Sequence, residues 1–176
     1  MSITETQVLP AGTWSVDKVH STVGFAVKYM VGTFQGSFSD FDARLADGTV
    51  RGSARVASIE VKDPNLTAHL QAPDFFDAER HPELTFESED VRRDGDRLDL
   101  DGQITIKGHT EPVRISGVIG EPISDPYGGE RFGLQLEAKI DRTLFGISWN
   151  NPLPSGDKAL SDTVTLIADL QLSKQA

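Results

Sequence analysis

No cysteine occurs in the 176 residues, which excludes disulfides, thiolate metal sites and a cysteine nucleophile. No apolar run approaches the ~20 residues that span a bilayer. The opening MSITETQVLPAG has neither a basic n-region nor an apolar h-region, so the chain reads as cytoplasmic, with no integral membrane association. Positive charge is scarce: 17 Lys and Arg stand against 27 Asp and Glu, a net charge of −10. That balance argues against a nucleic-acid partner and against unaided adsorption to anionic lipid. Histidine is scarce too. His20, His69, His81 and His109 form no compact ligand motif, and no metal site is expected. Rossmann, P-loop and nucleophile-elbow motifs are all missing.

What the chain does have is phenylalanine and alternation. Hydrophobic residues make up 38% of the sequence and nine residues are Phe, enough for one domain with a real core. The stretch from Asp17 to Leu45 organises the rest. Val19, Ser21, Val23, Phe25, Val27 and Tyr29 share one face of an extended chain. A Gly-punctuated bend at Val31-Gly32-Thr33 leads to a second run with Phe34, Phe38 and Phe41. Rings this dense on a hairpin either fill a core or line a cavity that a guest fills.

The pattern continues along the chain. Residues 1–11 are polar and expected to be a flexible segment, with a single barrel domain over 12–176. Asp47-Gly48 and Asp94-Gly95 mark hairpin turns. Asp63-Pro64 predicts a helix N-cap with proline at the first helical position, followed by a short helix to Gln71 and a compact loop to Pro82. Strands return after Pro82. Leu98, Leu100, Gly102, Ile104 and Ile106 give the cleanest half-buried strand, and Gly108-His109-Thr110-Glu111 is expected to turn the chain. Phe132, Leu134, Leu136, Ala138 and Ile140 alternate, as do Val164 through Leu172, while Trp149–Lys158 is irregular. These elements predict an all-β, antiparallel barrel of roughly eight strands, with a helical insert over 63–82 near one mouth.

Few residues offer chemistry. Asp17, His20 and Ser21 are the types of a hydrolase triad, but closeness along one strand points them apart. Arg142 sits at a strand end beside Phe145, either as a buried structural cation or facing the polar head of a guest. Tyr29 carries an inward hydroxyl that needs a partner. Phe75 and Phe76 read as a plug, or as a lid.

The residues also resemble a known family. Gly12-Thr13-Trp14-Ser15-Val16-Asp17, Gly32-Thr33-Phe34-Gln35-Gly36-Ser37-Phe38 and His69-Leu70-Gln71-Ala72-Pro73-Asp74-Phe75-Phe76-Asp77 are similar to segments of the YceI-like polyisoprenoid-binding proteins. His81-Pro82-Glu83-Leu84-Thr85-Phe86, Gly102 to Gly108, Arg142, Phe145-Gly146 and Leu160-Ser161-Asp162 continue the likeness in order. The resemblance implies a lipocalin-like barrel that binds a long-chain isoprenoid amphiphile, a polyprenyl compound or isoprenoid quinone, with no catalysis and no catalytic cofactor. Tyr29 stands where the family often has His, and Leu66-Thr67 replace an Arg-Asp pair before His69.

The expected tunnel is lined by Phe25, Val27, Tyr29, Phe34, Phe38 and Phe41 on one side and by Phe86, Phe132, Leu134 and Phe145 on others. Phe75 and Phe76 stand near an entrance, and Arg142, Tyr29 and His69 are the head-group candidates. The other reading is a lipocalin-shaped enzyme on a small hydrophobic substrate, with His69 as its titratable residue. Either a monomer or a homodimer fits.

Overall fold

Strands dominate because apolar side chains recur every second residue, and antiparallel ladders let each strand bury that one face. The computed structural model describes residues 8–175. The strands are β1 (Trp14–Val16), β2 (Thr22–Tyr29), β3 (Gly32–Phe38), β4 (Phe41–Ala46), β5 (Thr49–Arg55) and β6 (Ile59–Glu60). After helix α1 (Pro64–Gln71) come β7 (Glu83–Asp94), β8 (Arg97–Ile106), β9 (His109–Ile119), β10 (Ile123–Ser124), β11 (Glu130–Asp141) and β12 (Leu160–Lys174).

The ring runs β11-β9-β8-β7-β5-β4-β1-β12 and closes through β11–β12, an eight-stranded antiparallel barrel of lipocalin-like form. Three of its walls are broken strands: β1 continues as β2 along β12, β4 continues β3, and β5 leads through a 3-10 turn (Val56–Ser58) to β6. The β2–β12–β11 ladder is in register from Val164 to Asp169, with a shift between Leu160 and Val164 on the β2 side. Leu166 faces Phe25 on β2 and Ala138 on β11, while Val164 faces Val27 and Ile140.

One end is solid. Trp14, Leu45, Leu98, Leu100, Ile119, Leu134 and Leu172 are each at most 1% exposed, and Trp14 meets Phe132 edge-on with centroids 4.8 Å apart. At the other end Asp63 caps α1, its carboxylate accepting the Asn65 N–H at 2.8 Å, and Ala72 closes the helix, as the sequence predicts.

Three details differ from the sequence reading. Val19 is 85% exposed, because Asp17–Ser21 form a turn held by Asp17 Oδ1 on the Val19 and His20 amides, and the strand starts only at Thr22. The turn between β8 and β9 is Lys107-Gly108, both at positive φ (53° and 77°), so His109 already pairs with Ile106. Residues 1–7 of the segment expected to be flexible lie outside the described residues, whereas Leu9 packs into the core and Ala11 O accepts the Trp14 indole N–H at 3.1 Å. No helix among the described residues is long and apolar enough to cross a membrane.

Candidate ligand site

A filled barrel would bury every inward side chain. Here Phe34, Leu84, Ile140, Val164 and Leu166 belong to the inward packing yet remain only partly buried. The space they face is a mostly apolar cavity of about 300 Å³ at the α1 end. A size of this order is at the small end of ligand pockets.

Local sequence explains the room. Gly36 lies opposite Phe25, and a Cβ on it would stand 2.6 Å from the Phe25 Cζ, so only glycine lets this ring occupy its place. The insert then roofs the cavity with its two adjacent aromatics. Phe75 packs at 4.8 Å from the His69 ring and 5.4 Å from Trp149. Phe76 turns the other way, to 6.5 Å from Phe25 and 6.1 Å from Phe38. The insert is tied down by few bonds. Lys107 Nζ donates to Pro73 O at 2.5 Å and Gly146 O at 3.2 Å, and Val56 N–H donates to Pro82 O at 2.9 Å.

Polar groups gather at this end. Tyr29 is 36% exposed, Asp63 is engaged in capping, and His69 Nε2 lies 3.8 Å from Asp74, too long for a hydrogen bond. Arg142 is 4% exposed and is occupied by the backbone. Its Nε donates to Ser161 O at 2.8 Å, its Nη1 to Ile147 O at 2.9 Å and Trp149 O at 2.8 Å, and its Nη2 to Leu160 O at 3.3 Å. Burial pulls its pKa down, opposed by Asp162 and Asp141. This saturation favours the structural role for Arg142 and leaves Tyr29 and His69 as the freer polar groups.

Of the sequence-predicted residues, the structure brings Phe25, Val27, Tyr29, Phe34, Phe38, His69, Phe75, Phe76, Arg142 and Phe145 together around this cavity. Phe86 lines a second cavity of about 140 Å³ deeper in the barrel. Phe41, Phe132 and Leu134 line neither and belong to the buried core. Sequence reasoning missed Leu66, Ile147, Trp149 and Leu160, and did not assign the inward Leu70, Leu84, Ile106, Ile140, Val164 and Leu166 or the capping Asp63 to the wall they share. The signal was a tryptophan inside an irregular segment.

Other candidate chemistry disperses. Asp17 Oδ2 does meet His20 Nδ1 at 2.8 Å, because the segment turns, but Arg131 shares that oxygen at 2.6 Å and Ser21 Oγ accepts the Gln171 N–H instead. His20 and then Arg131 hold Asp17 well below the usual carboxylate range. His81 packs beneath Gly108, away from the aromatic partners of His69. Among the described residues no three His, Asp or Glu cluster closely enough to hold a metal ion. A depression on the outer face of β4, β5, β7 and β8 is open and lined by Asp42, Arg44, Arg51, Glu87 and Glu89, charges of both signs.

Comparison with known proteins bears on the whole barrel. The profile of the YceI-like domain matches residues 14–172. Protein YceI of Escherichia coli O157:H7 is 31% identical over 147 residues, 78% of this chain and 77% of that protein. The crystal structure of Burkholderia cenocepacia BcnA superposes with a TM-score of 0.76 at 23% identity, covering 89% of this chain and 98% of the other. The Campylobacter jejuni YCEI protein gives 0.72 at 25% identity over 92% and 97%. A polyisoprenoid binding domain from Saccharophagus degradans gives 0.72 at 12% identity over 92% and 98%.

Proposed function

From the premise that the chain belongs to the YceI-like domain family, we propose that it binds, stores or carries an isoprenoid amphiphile, such as a polyprenyl compound or an isoprenoid quinone, without catalysis. The observation that carries this reading is the mostly apolar cavity of about 300 Å³ beneath the insert. Burial of apolar carbon supplies about 0.8 kcal/mol per CH₂, so the chain of the guest dominates affinity. On this reading Tyr29 and His69, which line the cavity at the same end as the roof, select its head group. The polyisoprenoid-binding domain of matching fold supports the class of guest.

The test is extraction of purified protein with organic solvent, followed by mass spectrometry of the extract, and titration of stripped protein with an isoprenoid quinone. A stoichiometric amphiphile or saturable uptake is expected. Repeated absence of both sinks the proposal.

A further inference from the structure

Four side chains lining the 300 Å³ cavity carry a hydroxyl or an ionisable group: Tyr29, Asp63, His69 and Arg142. Among the described residues that line it, Arg142 alone has a permanent positive charge, and its Nε, Nη1 and Nη2 already donate to main-chain carbonyls. Turning that fork toward a phosphate would leave those carbonyls without their donors. The other cations nearby are engaged or stand in water. Lys107 Nζ donates to Pro73 O and Gly146 O, and Lys62 is exposed and outside the lining.

The remaining local charge is negative. The Asp63 carboxylate lines the cavity while capping α1, and Asp74 lies 3.8 Å from His69 Nε2. Along the insert, residues 63–82, Asp63, Asp74, Asp77 and Glu79 stand against Arg80 alone, whose side chain is exposed. The chain as a whole carries a net charge of −10.

We propose that the site admits a prenyl chain with an uncharged polar head, such as an alcohol, a phenol or a quinone, and turns away the same chain bearing a phosphate or diphosphate. This inference rests on the reading of the cavity as an isoprenoid site and narrows that reading to one class of head group. An uncharged oxygen needs a single hydrogen bond, which the Tyr29 hydroxyl or the His69 imidazole supplies. A diphosphate loses water beside an acidic roof and meets no free guanidinium to replace it.

Geraniol and geranyl diphosphate share one tail and differ only in the head, so the pair isolates the effect. Each is titrated against a dansylated geranyl probe bound to the purified protein. Geraniol is expected to displace the probe at a concentration at least tenfold lower, a difference of about 1.4 kcal/mol or more. Geranyl diphosphate binding within tenfold of geraniol, or more tightly, overturns the head-group class while leaving the proposed function in place. Failure of the probe to bind, or of both compounds to displace it, overturns the proposed function itself.

Leu66 is half-buried on α1 and lines the cavity three residues before His69. Leu66→Arg puts a guanidinium with uncommitted donors on the roof. The preference for geraniol is expected to fall from tenfold or more to about threefold or less. An unchanged preference in a folded variant overturns charge as its cause. The wild-type pair decides the head-group class even if that variant fails to fold.

Discussion

Replacing Arg142 with methionine separates two roles for a buried guanidinium at the end of a barrel, backbone staple or head-group clamp. Methionine keeps much of the length and none of the donors. Leu160 O retains a second donor in Asn150 Nδ2 at 2.7 Å, so the carbonyls of Ser161, Ile147 and Trp149 are the ones left short. A buried acceptor without a partner costs about 1–3 kcal/mol. Releasing the buried cation's own desolvation penalty offsets part of that sum. The expected net loss is about 3 kcal/mol, or roughly 6–12 °C in melting temperature for a chain of this size. Urea unfolding followed by circular dichroism reads it as a lower midpoint at constant slope. Arg142→Lys should recover little, because a compact ammonium cannot reach carbonyls on both sides of the loop. A loss below about 1 kcal/mol in both variants refutes the staple. A fall in guest affinity with stability untouched would make Arg142 the head-group clamp instead.

Three further outcomes are expected. Asp17, held down by His20 and Arg131, Asp125, held down by the Gly129 amide and Arg131, and Asp101, lowered to about 2 by Arg114 and Arg92, all have folded pKa values below their unfolded ones. Their contribution is complete above about pH 4 and is lost as pH falls toward the folded values. The melting temperature should therefore drop with acid below about pH 4 and drop less in Asp101→Asn; a level profile there refutes the account. Gly36→Ala drives a methyl to within 2.6 Å of Phe25 Cζ and 3.0 Å of Val61 Cγ1, and should cost about 1–3 kcal/mol by urea titration while altering guest affinity. Unchanged stability would mean that the ring moves freely. Lys107→Met removes the bonds to Pro73 O and Gly146 O and should speed hydrogen exchange over residues 72–82 with less than about 1 kcal/mol lost globally; unchanged exchange refutes the tether.

Which residues face inward was legible wherever period two ran unbroken. Leu98 to Ile106 and Phe132 to Ile140 point where alternation puts them, and Ile167 points out as the one apolar side chain off pattern. Alternation failed where a side chain captured the backbone. Asp17 Oδ1 accepts two amides and bends a segment whose spacing still reads as strand, which turns Val19 to solvent. It also failed at Lys107, because a lysine at positive φ carries no sequence signal of the kind Gly108 provides. Hollowness was not legible from periodicity at all. An inward ring looks the same in sequence whether its neighbour is another ring or empty space. Phe132 is packed against Trp14, and Phe34, on an equally regular strand, faces the cavity.

The location of the hollow follows from the broken strands. Among the described residues β6 pairs only with β3, and β7 pairs with β5 and β8, so no ladder joins β6 to β7 at the α1 end. The chain leaves β6 and reaches β7 through α1 and its loop, and that segment roofs the cavity between them. Side chains from a helix and loop enter at angles that a strand does not offer, so Phe75 and Phe76 diverge instead of alternating, and the space between their partners stays open. Opening such a wall breaks a few tethers, whereas opening the β11–β12 side would break an eleven-pair ladder from Arg131↔Ser173 to Asp141↔Thr163. On the proposed function, a guest passes at the insert because that is where the barrel is closed by side chains and not by backbone.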